Sequence, residues 1–317
     1  MAHILHSTAL RYFVEVANTG SIAEASLRLH VASSAISRQI AKLEYEVHAQ
    51  LFDRQSRGMT LSSAGEALLA YARRSLLEAE QIVHDIDGAQ SSLASVVKLA
   101  CSEGFASEFL PSLIHRFRQI DPRVHFELSV TRPADATQLV RTGDADLALT
   151  FSLTVQTAVK IIHACRAPVF ALMNRDHPLA KRRQLSLAEI AEHPLLLSEP
   201  GTTIRTLIDV AAGAEGIALT PVFVTNNSQA LYRYAQLSGA ITFSGALTVR
   251  GKQPDDALVA VPLKGKVQQR RIEVQTMSGR TLPNAVREFA DFLVAELRRV
   301  PGIARDTRPG AAKHPGT

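Results

Sequence analysis

The chain has 317 residues, 46% of them hydrophobic and 21% charged. That is enough for two or three domains with a sizeable core, in the balance of an ordinary globular protein. It excludes a wholly disordered chain, a collagen-like repeat or a disulfide scaffold, and no apolar run is long enough to read as a membrane span. The two cysteines, Cys101 and Cys165, and an N-terminus without a basic-then-apolar leader point to the cytoplasm. The net charge of +5 hints at nucleic acid, but acids and bases nearly balance over residues 1–60. The excess gathers at the end, where Arg298, Arg299, Arg305, Arg308 and Lys313 face Asp306 alone. Residues 301–317 are rich in Pro and Gly and are expected to form a disordered tail. Motifs, not net charge, must carry any DNA-binding argument.

Residues 5–62 read as a compact helical unit. Leu10, Phe13, Val14 and Ala17 make one stripe at helical spacing, and Asn18-Thr19-Gly20 ends that helix. Ser21 and Glu24 have the spacing of a capping box for a second helix, with Ile22, Ala25 and Leu29 facing inward. A short break at His30–Ala32 leads to a third helix, about Ser33 to Tyr45. Its core stripe is Ile36, Ile40, Leu43 and Val47, and Ser34, Ser37, Arg38 and Ala41 lie opposite. Two short helices joined so tightly form a helix-turn-helix. The outward face of the second is small, polar and basic, as a helix entering the major groove requires. Ser33, Ser34, Ser37 and Arg38 are the candidate DNA-binding residues; a solvated face on a small bundle is the alternative. Leu51 to Leu61 reads as a hairpin carrying Arg54 and Arg57 at its tip, suited to the flanking DNA backbone or minor groove.

Ser63 and Glu66 suggest a second capping box, opening a long helix over 63–90. Leu69, Ala72, Leu76, Ala79, Val83 and Ile86 repeat at alternating spacings of three and four, a heptad seam that suggests pairing between subunits. Packing on its own chain is the alternative.

Beyond residue 95, strands alternate with helices. Strands are expected at Val96–Ser102, Val124–Val130, Asp146–Phe151, Lys160–Cys165, Pro168–Met173, Pro194–Leu197 and Val222–Thr225. Helices are expected around Leu110–Phe117, after a capping box at Ser186–Glu189, and at Val286–Leu297. The pattern predicts α/β architecture with open, mostly parallel sheets and binding at the carboxyl ends of strands. Ser198, Thr202 and Thr203 join a strand end, a turn and a helix start, a setting that favours an anion. Phe151 and Asn227 are weaker additions. Cys101 and Cys165 fall in strands and read as buried, inert thiols. His3 and His6 have metal-ligand spacing but no companions, so no metal is expected. Ser95-Val-Val-Lys98 fits a Ser-x-x-Lys pattern on a strand entry without its partner motifs, and Lys181-Arg182-Arg183 reads as solvated surface. No catalytic residues are assigned.

The run LRYFVEVANTGSIAEASLRLHVASSAISRQIAKLE…LFDRQSRGMTLSSAGEALL resembles the LysR-type transcriptional regulators over their winged helix-turn-helix and linker-helix entry. FLPSLIHRF, GDADLAL, DHPLA and VPL extend a looser resemblance along the chain. It implies a winged helix-turn-helix followed by a linker helix (63–90). It also implies an effector-binding domain (95–300) of two subdomains of periplasmic-binding-protein type, about 95–165 plus 270–300, and 166–269. Ser102 and Thr131 would face the same cleft as Ser198. A small-molecule inducer, assembly as a dimer of dimers, double-stranded DNA as partner, RNA polymerase for an activator, and no membrane association are implied as well. The chain departs from the family in placing Ser33 and Ser34 where Gln and then Pro or Ser are frequent. It also has Ser26 for a common Ala, and AQLSGAITFSGAL for a glycine-rich run ending in Pro. The expected function is DNA binding modulated by a small, anionic metabolite. The alternatives are an effector-independent architectural DNA-binding protein, or an enzyme on the α/β half.

Overall fold

The computed structural model describes residues 7–55, 58–90, 95–153, 159–245, 247, 257–264, 270–300 and 304–305. The chain divides into two compact units, Met1–Leu93 with Gly279–Pro283, and Ala94–Ser278 with Asn284–Thr317.

In the first unit, α1 (Thr8–Thr19), α2 (Ile22–Leu29) and α3 (Ser33–Glu46) precede a hairpin of β1 (Phe52–Gln55) and β2 (Gly58–Leu61), and α4 (Ser63–Gln90) follows. Phe13, Val16, Ala25, Ile36, Ile40, Leu43, Leu51, Phe52 and Ala72 form the core, with the Phe13 and Phe52 rings 5.2 Å apart. Val47 is not in it. It lies just past the end of α3 and is 41% exposed, while Leu51 and Phe52 enter the core from the hairpin side.

The turns explain themselves locally. Gly20 ends α1 in the left-handed region, φ 67°, and its carbonyl accepts the Met59 N–H at 2.8 Å. A Cβ on Gly58 (φ 131°) would come within 2.7 Å of that same carbonyl, so the close approach of hairpin and turn requires glycine there. The turn between α2 and α3 is held by Ser26, whose hydroxyl donates to the Val31 carbonyl at 2.6 Å. The departure from Ala at this position thus has a structural use.

Two capping expectations are corrected. Ser21 Oγ accepts from the Glu24 N–H at 3.4 Å, but Glu24 pairs with Arg28 at 3.3 Å, and Thr19 Oγ1 takes the Ser21 N–H. Only half of the box is formed. The long helix is capped by Ser62, not Ser63: Ser62 Oγ accepts from the Gly65 N–H at 3.0 Å and donates to the Gln50 carbonyl at 2.6 Å. A side chain at position 65 would collide with the Leu51 carbonyl, which sets where the helix can begin.

The second unit runs β3 (Ser95–Cys101), α5 (Glu103–Ala106), α6 (Phe109–Ile120), β4 (Val124–Val130), α7 (Pro133–Thr142), β5 (Leu147–Ser152), β6 (Lys160–Ala167), β7 (Val169–Asn174), α8 (Leu187–Ala191), β8 (Leu195–Ser198), α9 (Thr203–Ala214), β9 (Pro221–Thr225), α10 (Ser228–Leu237), β10 (Thr242–Gly245), β11 (Leu258–Pro262), β12 (Arg270–Thr276), α11 (Asn284–Arg298) and β13 (Ala304–Arg305). The described strands form a six-stranded sheet, β13-β6-β12-β5-β3-β4, a three-stranded sheet, β10-β7-β11, and the pair β8-β9. The chain leaves the large sheet from β6 into β7 and returns from β11 into β12.

Those crossings correct the expectation of mostly parallel sheets. β3 is parallel to β4 and β5, and β8 to β9. β12 runs antiparallel to β5 and β6, and β10 and β11 antiparallel to β7. β12, which brings the chain back to the large sheet, runs against β5 and β6, so β6 keeps the direction of the helix-connected strands. Ala304 and Arg305, within the stretch expected to be disordered, pair with Arg166 and Cys165 on the outer edge of β6. On the large sheet, Phe117 and Phe126 of α6 and β4 pack edge-on against Phe289 of α11, 5.2 and 4.8 Å between centroids. The smaller sheets enclose their own core, including Leu187, Ile190, Leu207, Ile208 and Phe243. α8 carries the complete capping box of Ser186 and Glu189.

Candidate DNA-binding and effector sites

Ser33 and Ser34 lie in the first turn of α3, and Ser37 and Arg38 one turn later. All four are exposed. Ile36, Ile40 and Leu43 hold the opposite face in the core, so burial of one stripe presents the other. The hairpin is anchored to this helix from below. Glu44 Oε1 accepts the Leu51 N–H at 2.8 Å and the Phe52 N–H at 3.4 Å. Register in the hairpin pairs Phe52 with Leu61 and Gln55 with Gly58. Arg54 belongs to β1, while its side chain and the whole of Arg57 lie outside the described residues.

The α4 seam divides. Leu69 and Ala72 pack into the helical unit's own core, as the alternative reading of that helix has it for these turns. Leu76 and Val83 are half-buried and Ala79 buried. Ile86 is 57% exposed, and Ile82, not part of the seam, is 51% exposed. Of the seam, the residue left open is thus Ile86; outside it, Tyr71 near the start of the helix is 53% exposed.

In the second unit, Ser102 and Thr131 follow adjacent parallel strands, and the Thr131 N–H donates to the Cys101 carbonyl at 2.9 Å. Ser102 is buried, its hydroxyl 2.9 Å from that of Thr150; Thr131 Oγ1 donates to Asp135 at 3.4 Å. Ser198 and Thr202 share a hydroxyl–hydroxyl hydrogen bond of 3.0 Å, and Thr202 caps α9 by accepting the Arg205 N–H. Asn227 caps α10 in the same manner. A cavity of about 410 Å³ is lined by Arg132, Pro133, Ala134, Thr137, Gln138, Arg141, Thr150, Phe151, Ser152, Leu153, Gly201, Thr203 and Gln275. Of the expected residues only Thr203 and Phe151 line it. Ser102 reaches it through Thr150, and Ser198 and Thr202 shape the turn beside Gly201, φ 93°.

The cavity's other residues went unread in the sequence. One face of α7 supplies Ala134, Thr137, Gln138 and Arg141 at i, i+3, i+4 and i+7, and Pro133 at its first position was the available start signal. Among the described residues no carboxylate lines the cavity. Behind Phe151 sits Arg270, 4% exposed, with its guanidinium 3.6 Å from the ring. Burial pulls this cation down to about 10. On the floor, Thr137 donates to Gln275 at 2.8 Å, and Gln275 to the buried Glu273 at 2.7 Å. Cys101 and Cys165 are buried, and burial pushes the Cys101 thiol up to about 12. His3 and His6 lie outside the described residues. No described helix is long and apolar enough to cross a membrane.

Residues 7–66 match the family model for the bacterial regulatory helix-turn-helix protein, lysR family, and residues 90–298 match the LysR substrate binding domain. The chain belongs to the LysR family. It is a LysR-type, DNA-binding transcriptional regulator with an effector-binding domain that responds to small molecules. The regulator is 31% identical over 246 residues to the HTH-type transcriptional regulator IlvY of Escherichia coli, covering 69% of this chain and 82% of that protein. A full-length OxyR variant from Pseudomonas aeruginosa is similar in fold, with a TM-score of 0.65 at 18% identity, covering 96% of this chain and 99% of that one. CbnR complexed with its target DNA superposes with a TM-score of 0.54 at 20% identity, covering 90% and 97%.

Proposed function

We propose that this regulator is a cytoplasmic protein that senses a small anion in the cavity between α7, the end of β5 and the start of α9, and changes its hold on DNA in response. The observation that carries the reading is the charge of that cavity. Arg132, Arg141 and the N-terminus of a twelve-residue helix meet there with no carboxylate among the described lining residues, a field that favours negative charge.

Ser33, Ser34, Ser37 and Arg38 enter the major groove in this reading, with Arg54 and Arg57 on the flanking backbone. Serine and arginine on one exposed helix face supply the donors and acceptors for base edges. The exposed Ile82 and Ile86 of α4 support pairing between subunits, and a dimer of dimers would hold two half-sites at fixed spacing. The relatives' names support a regulator that is not an enzyme; RNA polymerase would be a partner if it activates. An effector-independent architectural binder would leave the 410 Å³ cavity without a role.

The mechanism is a population shift: an effector that binds one arrangement of the subdomains better moves the balance toward it. The test is thermal shift of the full chain against a library of carboxylates and neutral isosteres, followed by DNA footprinting with each hit. Anionic hits that raise the melting temperature and alter the footprint are expected. Hits confined to neutral compounds, or a footprint unchanged at saturation, would sink the reading.

A further inference from the structure

α7 lays one face along the cavity. Ala134 and Arg141 are seven residues apart on that face, roughly 10 Å along the axis at 1.5 Å per residue, and both line the space. Arg132, just before the helix, marks one end and Arg141 the other. Both guanidinium-bearing residues are exposed, and neither forms an ion pair with a described carboxylate. The lining between them is mixed: Pro133, Ala134, Phe151 and Leu153 give it an apolar part, and Thr137 and Gln138 a neutral polar one.

Two positive charges carried nine residues apart along one helix edge, with uncharged lining between them, describe an occupant with two negative ends and an uncharged middle. A monoanion would satisfy one guanidinium only. A compact dianion such as phosphate would carry the charge but leave the apolar part of the lining uncovered. Resting on the anion-sensing reading above, we propose that the effector is a dicarboxylate with a hydrocarbon spacer. One carboxylate pairs with Arg132, the other with Arg141, and the methylenes lie on Ala134, Phe151 and Leu153. Thr203 at the start of α9 and the amide of Gln138 offer further donors along the way.

Calorimetric titration of the full chain with adipate, hexanoate and the neutral isostere adipamide tests this directly. A charge-assisted contact at a partly exposed position is expected to add roughly tenfold in affinity. Adipate should therefore bind about tenfold tighter than hexanoate, and adipamide should be weakest. Arg132→Gln and Arg141→Gln alter exposed side chains and are expected to leave the melting temperature in place. Each should bring adipate down to about the affinity of hexanoate. Equal binding of hexanoate and adipate, with adipamide still weak, would overturn the dicarboxylate while leaving an anion sensor standing. Adipamide binding as well as adipate would overturn the anion reading itself. Adipate binding that both arginine variants leave unchanged, or no adipate binding at millimolar concentration, would likewise overturn the proposal.

Discussion

Replacing Glu44 by Ala tests how the reading helix and the hairpin are joined. Glu44 sits on α3, six residues beyond Arg38, and its Oε1 takes the backbone N–H groups of Leu51 and Phe52 at 2.8 and 3.4 Å. Both of those residues are buried. Alanine leaves the two backbone donors without that acceptor. The shorter bond, to an ionised group, carries most of the loss, and a buried orphan donor costs about 1–3 kcal/mol. A total of about 2–3 kcal/mol is expected for the local opening of this junction. Gln retains a neutral carbonyl acceptor and should cost about 1 kcal/mol. Hydrogen exchange on the full chain reads the effect where it occurs. A peptide containing Leu51 and Phe52 should exchange roughly 30- to 150-fold faster in Glu44→Ala at about 1.4 kcal/mol per tenfold, and only several-fold faster in Glu44→Gln. DNA affinity should fall in the same order, because the hairpin loses its fixed position beside α3. Exchange within threefold of wild type in Glu44→Ala would show that other contacts hold the junction and that the carboxylate is incidental.

Arg38→Ala should reduce preference for the operator over random DNA by an amount on the order of 1–3 kcal/mol if the side chain reads a base edge, and competition binding at fixed salt measures it; an unchanged ratio would remove Arg38 from the reading face. Cys101 and Cys165 should resist an aqueous thiol reagent until the protein is unfolded, since burial keeps Cys101 protonated far above neutrality; rapid labelling of the native chain would contradict that. Hydrogen bonds from the Ser186 backbone and hydroxyl hold Glu189 down at about 2, against an ordinary 4.5. Its folded value lies below its unfolded one, so its stabilisation is present above about pH 4.5 and lost as pH falls toward 2. Ser186→Ala removes the hydroxyl and keeps the backbone N–H, so it should move the carboxyl titration seen by NMR part of the way upward; no movement would exclude the Ser186 hydroxyl as a cause.

Local rules made the helical unit legible. Phe13, Ala25, Ile36, Ile40 and Leu43 recur at helical spacing because one stripe of each helix must leave water, and all are buried. Gly20 and the polar face of α3 could be read the same way. The misplaced details depend on neighbours that are remote in sequence. Whether Ser62 or Ser63 caps α4 is decided by the Leu51 carbonyl beside Gly65. Whether Leu69 and Ala72 pair with another subunit or pack at home is decided by the core they find.

The effector cavity divides along the same line. Thr203 was readable because a strand end, a turn and a helix start announce themselves within six residues, while Ser198 and Thr202 of the same stretch shape that turn and do not line the cavity. Arg132, Arg141, Thr150 and Gln275 come from three elements up to 143 residues apart in the chain, and nothing local marks them as neighbours. Antiparallel pairing of β12 with β5 brings Gln275 opposite Ala148, and Thr137 of α7 then closes on it. Periodicity and turn chemistry, being local consequences of backbone geometry and burial, determined the helix-turn-helix, the alternation of strands and helices and the family. Strand direction, the shared walls of the cavity and the burial of Arg270 against Phe151 arise only when distant segments compete for the same space, and the tertiary structure alone decided them.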